Sequence, residues 1–105
     1  FNGIQYLKPE TIAYFTKKQR YGSRRGLGFD RINGRTGNRS NVAAGASSQT
    51  FGHSGFTGTW AWCDPSKKLV FIMLTNRTYP DQENKKLIKY AIRTKALQAV
   101  YNAIP

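Results

Sequence analysis

The longest apolar run of the chain covers residues 69–74, with the sequence LVFIML. An unbroken apolar run of this length is typical of a strand that is buried on both faces. It follows a turn sequence in which Asp64 and Pro65 occupy the first and second corners that a type I turn prefers. Residues 51–63, before that turn, are rich in Thr and aromatic side chains, which favour strands. The pattern therefore predicts an antiparallel hairpin over residues 51–75.

Two stretches with helical signals flank this hairpin. Pro9 suits the first position of a helix, where its missing N–H costs nothing, and Glu10 then lies in the first turn, where the helix dipole favours an anion. We place this helix near residues 9–19. A second helix is predicted over residues 84–103, because its apolar residues recur at helical spacing and form a broad face. That face is made of Ile88, Ile92, Ala96, Leu97, Ala99, Val100, Tyr101, Ala103 and Ile104.

The region between the first helix and the hairpin is rich in glycine. The alternation of Leu27 and Phe29 predicts a short strand near 26–30, in which the glycines suggest a bulge or a close backbone approach. Residues 31–50 are rich in Gly, Asn and Ser, the residues of turns, and they carry several arginines. A loop this long is typically functional or mobile, so we expect a mobile basic loop at about 31–50. The predicted fold class is α+β, an antiparallel sheet flanked by the two helices.

Charge is the strongest signal in the composition. The 105 residues have a formal net charge of +12, which favours polyanionic partners such as nucleic acid, anionic lipid or an acidic protein surface. Basic residues interleave with Tyr21 and Phe29, so a small nucleic-acid-binding module is one alternative, although no recognised binding signature is present. A basic face on an unrelated fold, or one half of a molecule whose other half is acidic, explains the charge equally well.

Other bulk properties narrow the choice of function. The length suits one small domain, and 39% hydrophobic residues are enough for a modest core. No apolar run approaches the roughly 20 residues that span a bilayer, so no membrane span is predicted. The single cysteine, Cys63, cannot form a disulfide within the chain.

Candidate chemistry is concentrated in residues 51–62. This stretch holds the only histidine, His53, between two glycines and next to the hydroxyl of Ser54. A lone histidine in such a setting is most often a plain turn residue, and this alternative stays open. Trp60 and Trp62 alternate onto one face, which favours a role in the core or in the wall of a groove.

Residues 52–59, with the sequence GHSGFTGT, resemble the third conserved box of the beta-lactamase-related serine hydrolases. That family includes class C beta-lactamases, penicillin-binding proteins, D-aminopeptidases and esterases, and its box is Lys-Thr-Gly, or His-Thr-Gly in many esterase-like members. The resemblance continues through residues 64–77 and extends to the stretches around residues 6–16, 26–30 and 92–104, so it covers nearly the whole chain. It is closest to hydrolase modules fused behind a glycoside hydrolase family 3 domain in some bacterial proteins.

The resemblance implies a role for each residue of this box. His53 takes the place of the family lysine and would supply a donor and, when protonated, a positive charge. Ser54 would hydrogen-bond a substrate carboxylate or the polar network around the nucleophile, and the N–H of Phe56 would be one donor of the oxyanion hole. Gly55 and Thr57 would bind substrate, which needs a bare backbone at Gly55 to lie along the strand. Histidine in place of lysine favours an esterase or a peptidase over a true beta-lactamase, and neither a metal nor another cofactor is implied.

Two of the family's motifs do not occur in this sequence. No Ser-x-x-Lys is present, and the Tyr-x-Asn motif has only the adjacent pair Tyr101 and Asn102. The chain therefore resembles the C-terminal portion of such a domain, and alone it should be inactive.

The expected partners follow from that resemblance. They are the missing N-terminal part of the same domain, or a second copy that pairs through exposed strands, and a small ester or amide substrate in the parent enzyme. We also expect an exposed apolar patch on the sheet. The resemblance places the parent enzyme in the periplasm or the cell envelope.

Overall fold

The computed structural model of the protein describes residues 2–33 and 42–105. Four strands form one antiparallel sheet in the order β1-β2-β3-β4, which confirms the predicted α+β class. Part of the loop predicted at about 31–50, residues 34–41, lies outside the described residues. In chain order the elements are α1 (Pro9–Thr16), β1 (Asp30–Arg31), β2 (Phe51–Ser54), β3 (Trp60–Asp64), β4 (Leu69–Met73), α2 (Lys86–Lys89) and α3 (Ile92–Ala103).

Residues 51–63, which were expected to form one strand, divide into β2 and β3. A tight turn separates them, in which the N–H of Gly58 donates to the carbonyl of Gly55 (3.0 Å) and the N–H of Gly55 donates to the carbonyl of Thr59 (2.8 Å). Gly58 has a φ of +93°, a conformation that side chains disfavour. The two glycines therefore mark a hairpin turn, and the region 51–75 contains two successive hairpins.

The second hairpin turn lies where the sequence predicted it. A single 3₁₀ turn covers Pro65–Lys67, and the side chain of Asp64 accepts a hydrogen bond from the N–H of Ser66 (3.1 Å). Lys68 completes the turn in the left-handed conformation, with a φ of +50°. Asp and Pro thus occupy the corner positions that their turn preferences predict.

The short strand predicted near 26–30 is displaced toward its C-terminal end. Residues 26–29 form a turn in which the N–H of Gly26 donates to the carbonyl of Phe29 (2.8 Å), and Gly28 has a φ of +75°. Arg25 and Asp30 then face each other across this turn, and β1 pairs with β2. Glycine here supplies the turn itself.

The core lies on one face of the sheet, which we call the inner face. Trp60 and Trp62 project from β3 onto this face and pack edge to face, with ring centroids 5.6 Å apart. Leu97 of α3 packs against them, together with Val42 and Ala43 from the segment before β2. The predicted core role of the two tryptophans is therefore confirmed.

The helix expected over 84–103 is broken into α2 and α3 at Ala91. Ala91 adopts a left-handed φ of +51°, and its N–H donates to the carbonyl of Ile88 (3.0 Å). One left-handed residue redirects the chain between the two helices. Since alanine is the strongest helix former, the sequence gives no sign of a break at this position.

The opposite face of the sheet, which we call the outer face, is largely open to solvent. Burial alternates along β4, so that Val70 is 65% exposed and Ile72 63% exposed, and Leu74 just beyond the strand is 80% exposed. The expectation of burial on both faces is therefore wrong for this chain, whereas the expected apolar patch is present. No helix in the described ranges is long and apolar enough to cross a membrane.

Candidate functional site

The candidate residues begin at the C-terminal end of β2, which is an internal strand of the sheet. His53 pairs with Ala61 of β3, and Ser54 pairs with Trp60. Side chains alternate along a strand, and the exposed Ala61 marks His53 as an outer-face residue. His53 and Ser54 are both exposed. His53 lies on the same face of the sheet as the apolar patch of β4, whereas Ser54 is paired with the inner-face Trp60 and ends the strand.

A shallow depression of about 140 Å³ lies on this outer face. It is smaller than the roughly 300–1,000 Å³ of typical ligand pockets. The depression is lined by His53, Ser54, Gly55, Thr59, Trp60, Ala61, Ile72 and Leu74. Three of the five candidate residues are thus brought together there, while Phe56 and Thr57 lie in the adjoining turn.

The turn that carries Phe56 is tied to the chain beyond β4. The carbonyl of Thr57 accepts hydrogen bonds from the N–H of Arg77 (2.8 Å) and from the hydroxyl of Thr75 (3.2 Å). The guanidinium of Arg77 also lies over the ring of Phe56, 5.0 Å from its centroid. These contacts hold the backbone of the turn in one position.

The amide of Phe56 occupies the second position of this turn. The turn's own hydrogen bonds use the N–H groups of Gly55 and Gly58, and the described residues provide no acceptor for the N–H of Phe56. The side chain of Phe56 is itself 68% exposed. A fixed, exposed turn with an uncommitted N–H is the kind of group that can stabilise negative charge on a bound ligand.

Gly55 has a structural role that sequence reasoning did not identify. A Cβ atom at this position would collide with the side-chain oxygen of Thr59, in the same turn. A side chain at this position would therefore require the hydroxyl of Thr59 to move, whether or not a substrate passes over the turn.

His53 lies at the end of a row of contacting polar side chains that starts at Asp30 on the neighbouring strand β1. Asp30 is buried and forms ion pairs with Arg24 (2.7 Å) and with Arg25 (2.6 Å). The same terminal nitrogen of Arg25 lies 3.4 Å from Nε2 of His53. Arg25 therefore links the buried carboxylate of β1 to the histidine of β2.

Arg93 contacts the turn between β2 and β3, and it was not selected from the sequence. Its guanidinium donates to the carbonyl of Gly58 (3.3 Å) and lies over the ring of Trp60, 5.6 Å from the centroid. Burial, with the nearby charge of Arg77, lowers the pKa of Arg93 from its ordinary value. An arginine in the first turn of α3, where a helix dipole disfavours a cation, is the one sequence signal that marks it.

Asp64 is a second residue whose importance the sequence understated. It is 1% exposed and accepts hydrogen bonds from the N–H (2.9 Å) and the hydroxyl (2.6 Å) of Ser47 and from the hydroxyl of Tyr101 (2.8 Å). Burial by itself would raise the pKa of Asp64, but the bonds from Ser47 and Tyr101 outweigh it and hold the pKa below its usual value. The pKa of Tyr101 is raised, mainly by burial and to a smaller extent by its hydrogen bond to Asp64.

Cys63 has no features of a nucleophile. Burial, and then the adjacent charge of Asp64, raises the pKa of its thiol, which favours the unreactive protonated form. Residues 2–33 and 42–105 also contain no group of three or more His, Cys, Asp and Glu side chains that could hold a metal ion.

Three basic residues line a second depression. Lys18, Arg20 and Arg24 line an open depression of about 940 Å³ together with Tyr21, and no residue of β2 is part of its lining. The charge of Arg24 is already countered by Asp30. Nucleic-acid binding stays a prediction from composition.

Comparison with known proteins relates the chain to one family. A family model described as Beta-lactamase matches residues 2–95. Proteins named "Putative D-alanyl-D-alanine carboxypeptidase" from Salmonella paratyphi B and Salmonella newport are each 31% identical to it over 87 residues, which is 83% of this chain. The chain spans about a fifth (20%) of the length of these curated relatives. A search of solved structures finds no match.

Proposed function

Since the chain belongs to the beta-lactamase family of serine hydrolases, we propose that it forms one wall of an acyl-transfer site, with the amide of Phe56 as an oxyanion donor. The observation that carries the proposal is the N–H of Phe56. It lies in an exposed turn that is fixed by Arg77 and Thr75, and the described residues leave it without an acceptor.

In the proposed reaction a serine from outside this chain attacks the carbonyl carbon of a bound substrate. Negative charge then develops on the carbonyl oxygen, where a pre-oriented N–H group stabilises the transition state more than the ground state. The Phe56 amide would be one donor, and the amide of the nucleophilic serine would be the other. Ser54 would hold the substrate or the polar groups around the nucleophile, and His53 would supply a further hydrogen-bond donor.

The name of the relatives guides the choice of substrate. A carboxypeptidase acts on a peptide amide, so we propose a short peptide as the first choice and a small ester as the second. Gly55 and Thr57 would form the strand edge and turn along which such a substrate lies.

The proposal requires a partner for the outer face of the sheet. Val70, Ile72 and Leu74 expose apolar surface, and Ile72 and Leu74 line the depression that also contains His53 and Ser54. An apolar patch of this kind is typical of an interaction site. We propose that the rest of the same catalytic domain covers this face, because the relatives are about five times longer than the matched region and the nucleophile motif is absent here. Pairing with a second copy of the chain is the competing outcome.

The backbone role of Phe56 can be tested with two substitutions in the longer protein that contains this sequence. Phe56→Pro removes the N–H, and proline is favoured at the second position of a turn, so the turn should survive. We expect kcat for a p-nitrophenyl ester or a D-alanyl peptide to fall by about 10²–10³-fold. Phe56→Ala, the matched control, keeps the N–H and should stay within a few-fold of the parent. Equal activity of the two variants would contradict the proposal.

A further inference from the structure

The hydrogen-bonding geometry points to Arg25 as the positioning residue for His53. The guanidinium of arginine carries only donors and keeps its proton at all physiological pH values. Its contact of 3.4 Å with Nε2 of His53 can therefore be a hydrogen bond only if Nε2 is the bare, accepting nitrogen of the ring. We propose that Arg25 fixes His53 in the tautomer that carries its proton on Nδ1.

Arg25 is itself held in place by Asp30. The carboxylate of Asp30 is buried, with its side chain 7% exposed, and lies 2.6 Å from the terminal nitrogen of Arg25. The backbone pairs Arg25 with Asp30 and Asp30 with Gly52, so the arginine side chain crosses β1 to reach β2. The buried carboxylate of Asp30 thus holds the exposed guanidinium of Arg25 next to His53.

This arrangement changes the expected role of His53. The family resemblance implies a positive charge from a protonated His53, whereas Arg25 places a permanent charge beside the ring. Protonation at Nε2 would remove the acceptor and bring two cations together. In this tautomer the remaining donor of the His53 ring is Nδ1–H. The catalytic meaning of this inference rests on the proposed function, but the tautomer itself does not.

The tautomer can be measured directly because His53 is the only histidine of the chain. The ¹⁵N shifts of the two ring nitrogens, with their couplings to the ring protons, distinguish an N–H from a bare nitrogen. The spectra should be recorded in mildly alkaline solution, where a free imidazole is neutral. In the parent chain we expect Nδ1 to carry the proton.

Three variants separate positioning from a general structural effect. Arg25→Ala removes the donor that requires a bare Nε2, so the proton should move toward Nε2 and the two ¹⁵N shifts should move in opposite directions. Arg25→Lys keeps a donor and should retain part of the parent pattern. Arg20→Ala removes an equal charge outside the Asp30–Arg25–His53 chain and should leave the shifts unchanged.

Two results would overturn the inference. One is a parent chain whose Nε2 carries the proton, and the other is a folded Arg25→Ala variant whose ring shifts match those of the parent. Neither result bears on the Phe56 experiment, so the two proposals can fail separately. If Arg25→Ala does not fold, the parent spectrum decides, because a proton on Nε2 in the parent chain would contradict positioning by Arg25.

Discussion

Three separate parts of the chain meet at the carboxylate of Asp64. It accepts hydrogen bonds from Ser47 in the segment before β2, from Ser66 in the second hairpin turn and from Tyr101 in α3. Because hydrogen bonds hold the pKa of Asp64 below its ordinary value, its contribution to stability is present above the pKa of the unfolded chain. That contribution is lost as the pH falls through the folded-state pKa, below about pH 4.

Asp64→Asn tests this role of the carboxylate. An amide offers one accepting oxygen in place of two, so at least one buried donor from Ser47 or Tyr101 loses its partner. We expect the free energy of unfolding at pH 7 to fall by about 3 kcal/mol, and part of the acid destabilisation of the parent to disappear. The measurement is urea unfolding between pH 3 and pH 7. Asp81→Asn, at an exposed acid, should change stability by less than about 0.5 kcal/mol, and a similar loss in both variants would contradict the account.

Single residues were predictable from sequence where local chemistry determines them. Turn preferences of single residues predicted the corner positions of Asp64 and Pro65. The bonds from Asp64 to Ser47 and Tyr101 join residues 17 and 37 positions apart, and Arg25 reaches His53 across 28 positions. No local preference encodes such contacts, because they depend on the register of the whole sheet.

At the scale of elements, the hydrophobic pattern located the sheet and the helices but missed two breaks. The β2–β3 turn was hidden by threonine and aromatic residues that favour strands, and Gly55 and Gly58 are its only sequence signals. The α2–α3 break at Ala91 has no sequence signal. The apolar run of residues 69–74 predicts a strand covered on both sides, and the structure covers only the inner side. The expectation of two covered faces is therefore wrong for this chain, and a partner for the outer face stays a proposal.

The proposed cover of β4 makes an element-scale prediction. In the longer protein, Ile72→Lys would bury a charge against the rest of the domain, and we expect it to lower the free energy of unfolding by about 3 kcal/mol or more. Ile88→Lys on α2 is the matched control, since Ile88 is 57% exposed and lies off the sheet. It should change stability by roughly 0.5 kcal/mol or less. Equal effects, or a parent protein that instead dimerises through this face in sedimentation experiments, would contradict the proposed cover.

At the scale of the whole molecule, the net charge and the family match point to different kinds of partner. Five acids offset seventeen basic residues, and two of the acids, Asp30 and Asp64, are buried, so the surface is strongly positive. Composition therefore suggested polyanion partners, but the family match relates the chain to serine hydrolases through residues 2–95. The resemblance of residues 52–59 identified the family from sequence. The fusion to a glycoside hydrolase family 3 domain and the location in the cell envelope stay predictions.

The central claim is that this chain supplies a wall of the catalytic site and that the nucleophile lies elsewhere in the longer protein. Labelling that protein with a fluorophosphonate probe and mapping the modified peptide tests the claim most directly. We expect the label on a serine outside the 105 residues, and we expect the 105-residue chain alone to take up no label and to hydrolyse neither nitrocefin nor p-nitrophenyl acetate above background. A label on Ser54, or on any other serine of this chain, would contradict the account.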